Sequence, residues 1–87
     1  MLLDVITPDE KLFSGEIESV TVPGINGQFQ ILNNHAPIVS ALTKGRVQIK
    51  KSNGEMESFL IDQGFVELLQ NEVSLLVHTP KEEAESK

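Results

Sequence analysis

Apolar and polar residues alternate one by one along much of this chain, and no other feature of the sequence narrows its possible folds as far. Successive side chains of a β-strand point to opposite faces, so alternation gives each strand one buried and one exposed face. Val47 and Ile49 alternate with polar neighbours in this way, and the segments 58–62 and 73–78 do the same. The pattern predicts an all-β chain.

Turn-forming residues separate these runs at short intervals. Asn53-Gly54 predicts a type I′ hairpin, because both residues tolerate a positive φ, and Asn26-Gly27 repeats the signal. Another reversal is predicted at Gln70-Asn71-Glu72. Many short strands joined by such turns predict a small antiparallel β-sandwich of about ten strands in two sheets.

The phase of the alternation also predicts the core. Ile17 is out of phase with Val20 and Val22, and a β-bulge near Glu18-Ser19 would correct this. The predicted core then takes the more apolar face of each strand: Leu3, Val5, Phe13, Ile17, Val20, Val22, Phe29, Ile31, Val47, Ile49, Phe59, Ile61, Phe65, Val73, Leu75 and Val77.

Length and composition limit the partners and the chemistry. The 87 residues suffice for one domain, predicted over residues 1–79, with residues 80–87 as a polar tail that is frayed or forms one helical turn. The absence of cysteine excludes disulfides and thiolate metal sites. A net charge of −6 argues against nucleic acid. No apolar run predicts a signal peptide or membrane insertion, so we expect a soluble intracellular domain.

The segment from Ser19 to Thr43 contains no Asp, Glu, Lys or Arg, although charged residues flank it densely on both sides. Prolines and glycines interrupt it, so it is not a membrane-spanning helix. Surface loops normally carry charge, whereas the core of a protein–protein interface is depleted in charge. This charge-free segment therefore suggests a surface that another protein covers; a surface of neutral polar side chains is the alternative.

Catalytic candidates are weak. His35 with Ser40 or Thr43 could supply a base and a nucleophile, and Asp62 an orienting acid, but the spacing matches no nucleophile elbow. There is no phosphate loop or calcium loop. We expect no enzyme activity, no cofactor and no metal site.

A basic cluster could contact an acidic partner or simply balance nearby acids; it comprises Lys44, Arg46, Lys50 and Lys51.

A series of short motifs gives the chain a family resemblance. In order, they are Leu3-Asp4-Val5-Ile6-Thr7-Pro8, Leu12-Phe13-Ser14-Gly15-Glu16, Val22-Pro23-Gly24 with Gly27-Gln28-Phe29, His35-Ala36-Pro37, Leu42-Thr43-Lys44-Gly45 and Gly64-Phe65-Val66-Glu67. Each motif is weak by itself, but the order and spacing together are specific. On these residues the chain resembles the epsilon subunit of F-type ATP synthases, over almost its whole length to Thr79.

The resemblance implies a β-sandwich with a non-catalytic rotor role. Members of this family hold the gamma subunit at the foot of the central stalk and rest on the membrane-embedded c-ring. Rotation driven by ion flow thereby reaches catalytic sites on other subunits. The implied setting is a proton-translocating synthase, on the cytoplasmic face of the bacterial plasma membrane. An unrelated β-sandwich adaptor or ligand-binding module remains the alternative.

The resemblance also implies two sets of contact residues. The positions that match gamma-facing residues of the family are Thr7, His35, Ser40 and Leu42. The positions that match its c-ring loop are Ile25, Asn26 and Gln28. Many relatives carry an acidic residue where Gln28 stands, so we expect hydrogen bonding there in place of a charge pair.

Most members of the family continue into a two-helix domain that can inhibit ATP hydrolysis and, in some bacteria, bind ATP. Residues 80–87 are too few and too polar to form such a domain. We therefore expect neither helical-hairpin inhibition nor ATP binding by this chain. Titration calorimetry with ATP should give only the heat of dilution, and saturable binding at micromolar ATP would contradict the expectation.

Overall fold

The computed structural model describes residues 1–80, which form eight strands and no helix. The strands are β1 (Leu2–Ile6), β2 (Lys11–Gly24), β3 (Gly27–Leu32), β4 (Ile38–Leu42), β5 (Gly45–Lys51), β6 (Met56–Ile61), β7 (Gln63–Leu69) and β8 (Glu72–His78). The all-β prediction is confirmed. The strands number eight and not about ten, and β2 runs on as one strand of 14 residues. No helix that could cross a bilayer occurs in the described residues.

The strands form two layers that share β2. In the first layer, β1 lies between the N-terminal half of β2 and β8, and β7 and β4 follow β8. In the second layer, the C-terminal half of β2 lies between β3 and β5, and β6 pairs with β5. The β1–β8 pair is parallel and the other pairs are antiparallel.

The predicted bulge in β2 is confirmed. The pairing of β2 with β5 shifts its register between Ile17 and Ser19. A bulge inserts one residue and bends its strand, which lets β2 leave the first layer and enter the second. After the shift Ile17, Val20 and Val22 are all buried.

The turns differ from the predictions at both Asn-Gly pairs. In the β2–β3 turn Gly27 has a positive φ of 125° whereas Asn26 does not, so the type I′ signal at Asn26-Gly27 is wrong. The β5–β6 hairpin closes through Lys51 and Glu55, and Gly54 has a positive φ of 92° whereas Asn53 does not. This is a three-residue loop ending in a left-handed glycine, so the predicted type I′ turn at Asn53-Gly54 is wrong. The β7–β8 reversal, in contrast, has positive φ at both central residues, Gln70 and Asn71, as a type I′ turn requires.

The core lies between the two layers. The predicted residues that are buried are Leu3, Val5, Ile17, Val20, Val22, Ile31, Val47, Ile49, Ile61, Val73, Leu75 and Val77. Phe13, Phe29 and Phe59 are partly buried and pack against them. The core also contains residues that the sequence analysis did not select: Met1, Leu42, Val66 and Leu68.

The prediction for Phe65 is wrong, because 59% of this residue is exposed. Both phases of β7 contain apolar residues, so alternation alone does not decide which phase is buried. Gly64 lies on the inner side, where an added Cβ would stand 2.6 Å from the Leu76 carbonyl oxygen. Gly64, Val66 and Leu68 therefore face the core, and Phe65 points outward.

The predicted boundary of the domain falls just after β8, which ends at His78. The predicted tail, residues 80–87, lies outside the described residues except for Pro80. The structure therefore tests the sandwich and leaves the tail as a prediction.

Two adjacent leucines of β8 provide a matched test of the core. Leu75 is 0% exposed and Leu76 is 52% exposed. We expect Leu75→Ala to lower the free energy of unfolding by about 2–5 kcal/mol, because it removes buried apolar contacts and leaves a cavity. Leu76→Ala should cost less than about 1 kcal/mol. Chemical denaturation measures both changes, and equal losses would contradict this orientation of β8.

Candidate partner-binding surfaces

The catalytic candidates are not assembled in the structure. His35 is exposed, and its Nδ1 lies 2.8 Å from the carbonyl oxygen of Ala36. The Ser40 hydroxyl donates to the carbonyl oxygen of Ala41 at 3.2 Å. Each polar group thus bonds to nearby backbone, and no hydrogen bond joins His35 to Ser40. No group of three potential metal ligands occurs within residues 1–80.

The charge-free segment forms the C-terminal half of β2, all of β3 and all of β4, so it belongs to both layers. It exposes apolar side chains at several positions. Val39 on β4 is 79% exposed, Ile25 at the β2–β3 turn is 62% exposed, and Leu32 at the end of β3 is 51% exposed. The segment is therefore more than neutral polar surface, because it presents large apolar groups to solvent.

The predicted c-ring residues come together at one hairpin. Ile25 and Asn26 form the β2–β3 turn, and Gln28 pairs with Pro23 just below it. Gly24 and Gly27 close the turn, and a Cβ on Gly24 would stand 2.8 Å from both the Gly27 carbonyl oxygen and the Phe29 ring. The tight closure is thus possible because residue 24 is glycine. All three predicted side chains are exposed.

The predicted gamma-contact residues lie in different surroundings. Thr7 is at the β1–β2 turn, where its hydroxyl donates to the Glu10 carbonyl oxygen and accepts from the Asp9 and Glu10 amides. Ser40 lies on the inner phase of β4 at a partly buried position. Leu42 is only 3% exposed, so it supports a surface from below and offers little contact area of its own.

A clasp of three asparagines holds the loop that carries His35. Asn71, at the β7–β8 turn, donates from Nδ2 to Asn33 Oδ1 at 3.0 Å. Its own Oδ1 accepts the Asn34 amide at 2.9 Å. Asn34 and Asn71 both have left-handed φ angles, 63° and 64°, which asparagine tolerates better than most residues. The clasp therefore fixes the β3–β4 loop to the end of the first layer.

A row of apolar residues crosses the outer face of the first layer. Strand register places Ala41, Phe65, Leu76 and Ile6 side by side on β4, β7, β8 and β1. Phe65 and Leu76 are both more than half exposed. The row borders a groove of about 540 Å³, which Thr7, Pro8, Leu42, Gln63, Gly64, Val77 and His78 also line.

Sequence reasoning missed this row because its members are far apart along the chain. The available signal was the apolar character of both phases of β7, where Phe65 and Leu69 accompany Val66 and Leu68. Strands that are apolar on both faces are typical of sheets that are covered on both faces. The composition of β7 therefore indicates that its outer face is covered by another surface. Of the predicted contact residues, Thr7 and Leu42 line the groove, whereas His35 and Ser40 do not.

Two of the four residues in the basic cluster on and next to β5 pair with acids. Lys50 pairs with Glu18 at 3.3 Å, and Lys51 pairs with Glu57 at 3.0 Å and Glu55 at 3.9 Å. The hydrogen bond and charge of Glu57, with help from Glu55, raise the pKa of Lys51. Its Nζ also lies 5.8 Å from the centre of the Phe13 ring. These pairs favour the interpretation of a solvated strand face.

The described residues thus define a small β-sandwich with exposed apolar surfaces and no assembled catalytic group. Residues 1–83 match the family described as the β-sandwich domain of the ATP synthase delta/epsilon chain. Two solved structures have a similar fold. One is the Euglena gracilis mitochondrial ATP synthase (TM-score 0.83, 20% identity, 88% of this chain and 49% of that chain). The other is the Tetrahymena thermophila mitochondrial ATP synthase central stalk and c-ring (TM-score 0.77, 17% identity, 100% of this chain and 71% of that chain).

Curated relatives give the same result from sequence. The ATP synthase epsilon chain of Chlorobaculum tepidum is 46% identical over 74 residues, which are 85% of this chain and 84% of the relative. The ATP synthase epsilon chain of Maridesulfovibrio salexigens is 38% identical over 85 residues, which are 98% of this chain and 59% of the relative. The chain therefore belongs to the ATP synthase delta/epsilon chain family, as its motifs predicted.

The asparagine clasp gives a prediction about the β3–β4 loop. Asn71→Gly keeps a residue that tolerates the left-handed φ but removes both side-chain hydrogen bonds. Losing about 1 kcal/mol of local stability should speed hydrogen exchange at the Asn34 amide roughly fivefold. Exchange measured by NMR checks this.

Asn53→Gly is the matched control for this substitution. It removes a comparable hydrogen bond, from the Glu55 amide to Asn53 Oδ1 at 2.9 Å, but in the β5–β6 hairpin. It should leave exchange at Asn34 unchanged. Equal hydrogen-exchange rates at the Asn34 amide in Asn71→Gly and Asn53→Gly would show that the clasp does not hold the β3–β4 loop.

Proposed function

We propose that this chain is a non-catalytic subunit of the central stalk in a proton-translocating F-type ATP synthase. It links the gamma subunit to the membrane c-ring, and so transmits ion-driven rotation to catalytic sites on other subunits. The family supports this role, since its relatives are ATP synthase epsilon chains. The observation that carries it is the charge-free segment, which exposes Ile25, Leu32 and Val39 where a solitary domain would carry charge.

The proposed gamma-contact residues remain Thr7, His35, Ser40 and Leu42. Thr7 and Leu42 support this proposal because they line one groove. His35 supports it because it is exposed on a loop that the asparagine clasp holds rigid, and a fixed loop loses less entropy on binding. We expect Ser40 to contact gamma at the edge of β4, where it is next to Val39, whose side chain is exposed.

The proposed c-ring contact is the β2–β3 hairpin, through Ile25, Asn26 and Gln28. The hairpin tip combines an exposed apolar side chain with two amides and carries no charge. Such a tip can bind polar loops by hydrogen bonding. This binding depends less on salt concentration than the binding of an ion pair does. A rotor joint also requires stiffness, which the short turn closed by Gly24 and Gly27 provides.

The location and extent of the chain follow from the same proposal. As part of an ATP synthase, it is associated with a membrane enzyme; we place it peripherally on the cytoplasmic face of the bacterial plasma membrane. Residues 1–79 act as the sandwich domain and residues 80–87 as the tail. The alternative, an unrelated adaptor or ligand-binding module, would leave the charge-free segment without a gamma partner.

Co-purification with the gamma subunit of the same synthase tests the function directly. We expect the unaltered chain to bring down gamma in a one-to-one molar ratio. Val39→Asp should weaken binding at least about tenfold, because the interface would bury an unpaired carboxylate. The melting temperature should fall by only a few degrees, since Val39 is exposed in the isolated chain and the new carboxylate lies opposite Glu67 on β7.

Met56→Asp is the control for this experiment. Met56 on β6 is 63% exposed and lies outside the charge-free segment. We expect this variant to bind gamma like the unaltered chain. Absence of gamma from the unaltered preparation would refute the stalk role and favour the adaptor, and equal losses in both variants would refute the role of the charge-free segment.

A further inference from the structure

Two Asn-Gly pairs lie at hairpin turns of this molecule, and their backbones are alike. Asn26-Gly27 is in the β2–β3 turn and Asn53-Gly54 is in the β5–β6 turn. Both glycines have a positive φ, 125° and 92°, and neither asparagine does. In both turns the glycine pairs with the residue three positions before it. Within the described chain, a Cβ on either glycine would have no contact closer than 4 Å beyond the adjoining residues, so both turns are open beside the glycine.

The side chains of the two asparagines differ. Asn53 Oδ1 accepts a hydrogen bond from the Glu55 amide at 2.9 Å, which holds its carboxamide against the backbone. Asn26 is exposed, and its side chain makes no hydrogen bond to any residue in the range 1–80. The two sites therefore differ in the freedom of the carboxamide and not in the backbone around it.

An asparagine followed by glycine can lose its side-chain amide without an enzyme. The glycine nitrogen gives its proton to hydroxide and attacks Cγ of the asparagine, an approach that no Cβ obstructs. The new N–Cγ bond closes a cyclic imide, and the Cγ–Nδ2 bond breaks, so that Nδ2 takes a proton from water and leaves as ammonia. A second water then opens the ring. Breaking the N–Cγ bond gives aspartate, and breaking the bond from the nitrogen to the backbone carbonyl carbon gives isoaspartate.

This attack requires the carboxamide to turn toward the next backbone nitrogen. The Asn53 carboxamide must first release the Glu55 amide. One neutral hydrogen bond lowers the population of the released form roughly fivefold. In the described chain, the Asn26 carboxamide has no such bond to break. Because the turn pairing restrains both glycines, it slows both reactions and does not remove the difference between them.

We infer that Asn26 is a site of spontaneous deamidation in the folded protein, and that its hydrogen bond protects Asn53. The product is a mixture of aspartate and isoaspartate at the tip of the β2–β3 hairpin, and it gives the charge-free segment its first charge. Isoaspartate also adds a methylene to the backbone. The turn has little room for it, because a Cβ on Gly24 would already stand 2.8 Å from the Gly27 carbonyl oxygen. The modified hairpin is negative and, as isoaspartate, distorted.

The test follows both sites in the full 87-residue chain at mildly alkaline pH, where hydroxide is available. Peptide mass spectrometry separates amide from acid at each site. Isoaspartyl methyltransferase with labelled S-adenosylmethionine reports the isoaspartate. We expect Asn26 to convert roughly fivefold faster than Asn53 in the folded chain. In guanidinium chloride, which removes the Glu55 hydrogen bond, the two rates should become alike.

Asn26→Gln is the matched control for this site. It keeps a neutral amide but places it one methylene farther from the Gly27 nitrogen, so the cyclic imide no longer forms readily. We expect methyl incorporation at the β2–β3 hairpin to disappear, while that at Asn53 stays as in the unaltered chain. Melting curves under the same conditions show whether each chain is folded.

The rates decide the inference. It is overturned if Asn53 converts as fast as Asn26, or faster, in the folded chain. An unchanged ratio in guanidinium chloride also overturns it, because local sequence and not the fold would then set the rates. It fails equally if the denatured chain converts while both folded sites stay intact, since the turns would then protect both asparagines.

A second arm measures the consequence at the c-ring, and this arm alone rests on the proposed function. Asn26→Asp carries the charge of the product, so its binding to synthase membranes depleted of this subunit should become dependent on salt. Asn53→Asp adds the same charge at the other end of the second layer and should bind like the unaltered chain. If the unaltered chain does not bind, the stalk function fails and the deamidation site stands. If it binds and the two variants respond alike to salt, the consequence is overturned.

Discussion

The bend in β2 is the feature on which the rest of the molecule depends. Its bulge between Ile17 and Ser19 lets one strand pair with β1 in the first layer and with β3 and β5 in the second. Because the two layers share a covalent strand, their inner faces cannot slide apart or change register independently. A continuous core therefore forms without disulfides. At its C-terminal end β2 also pairs with β4 through Gly24 and Leu42, so the β2–β3 hairpin stays tied to the first layer.

Stiffness and exposed apolar surface are combined in this small domain. A domain of this size has little stability to spare, and exposed apolar residues on unpaired strands favour aggregation. Here Val39, Phe65 and Leu76 lie on strands that are paired and backed by buried neighbours such as Val66 and Leu75. The surface is thus preformed, and a partner that covers it loses little conformational entropy. Such a joint suits the transmission of torque better than a flexible contact.

Charge is distributed in keeping with this arrangement. On β5, Lys50 and Lys51 meet acids of the same layer, so the outer surface there is locally balanced. In the first layer Lys11 pairs with Asp4 and the N-terminal ammonium pairs with Glu16, but Glu67 and Glu72 form no salt bridge within residues 1–80. Since exposed pairs contribute little to stability, this asymmetry has little effect on the fold. Its main effect is on which partner the face attracts and in which orientation.

Local sequence alone determined where the strands, the turns and the bulge lie, and which hairpin brings Ile25, Asn26 and Gln28 together, because each depends on residues close along the chain. Tertiary structure decided what alternation could not: both phases of β7 are apolar, and packing of Gly64 against β8 turned Phe65 outward. It likewise buried Leu42 and joined Thr7 to it in one groove. The groove gathers four strands, and register between distant segments is fixed only when the layers pack.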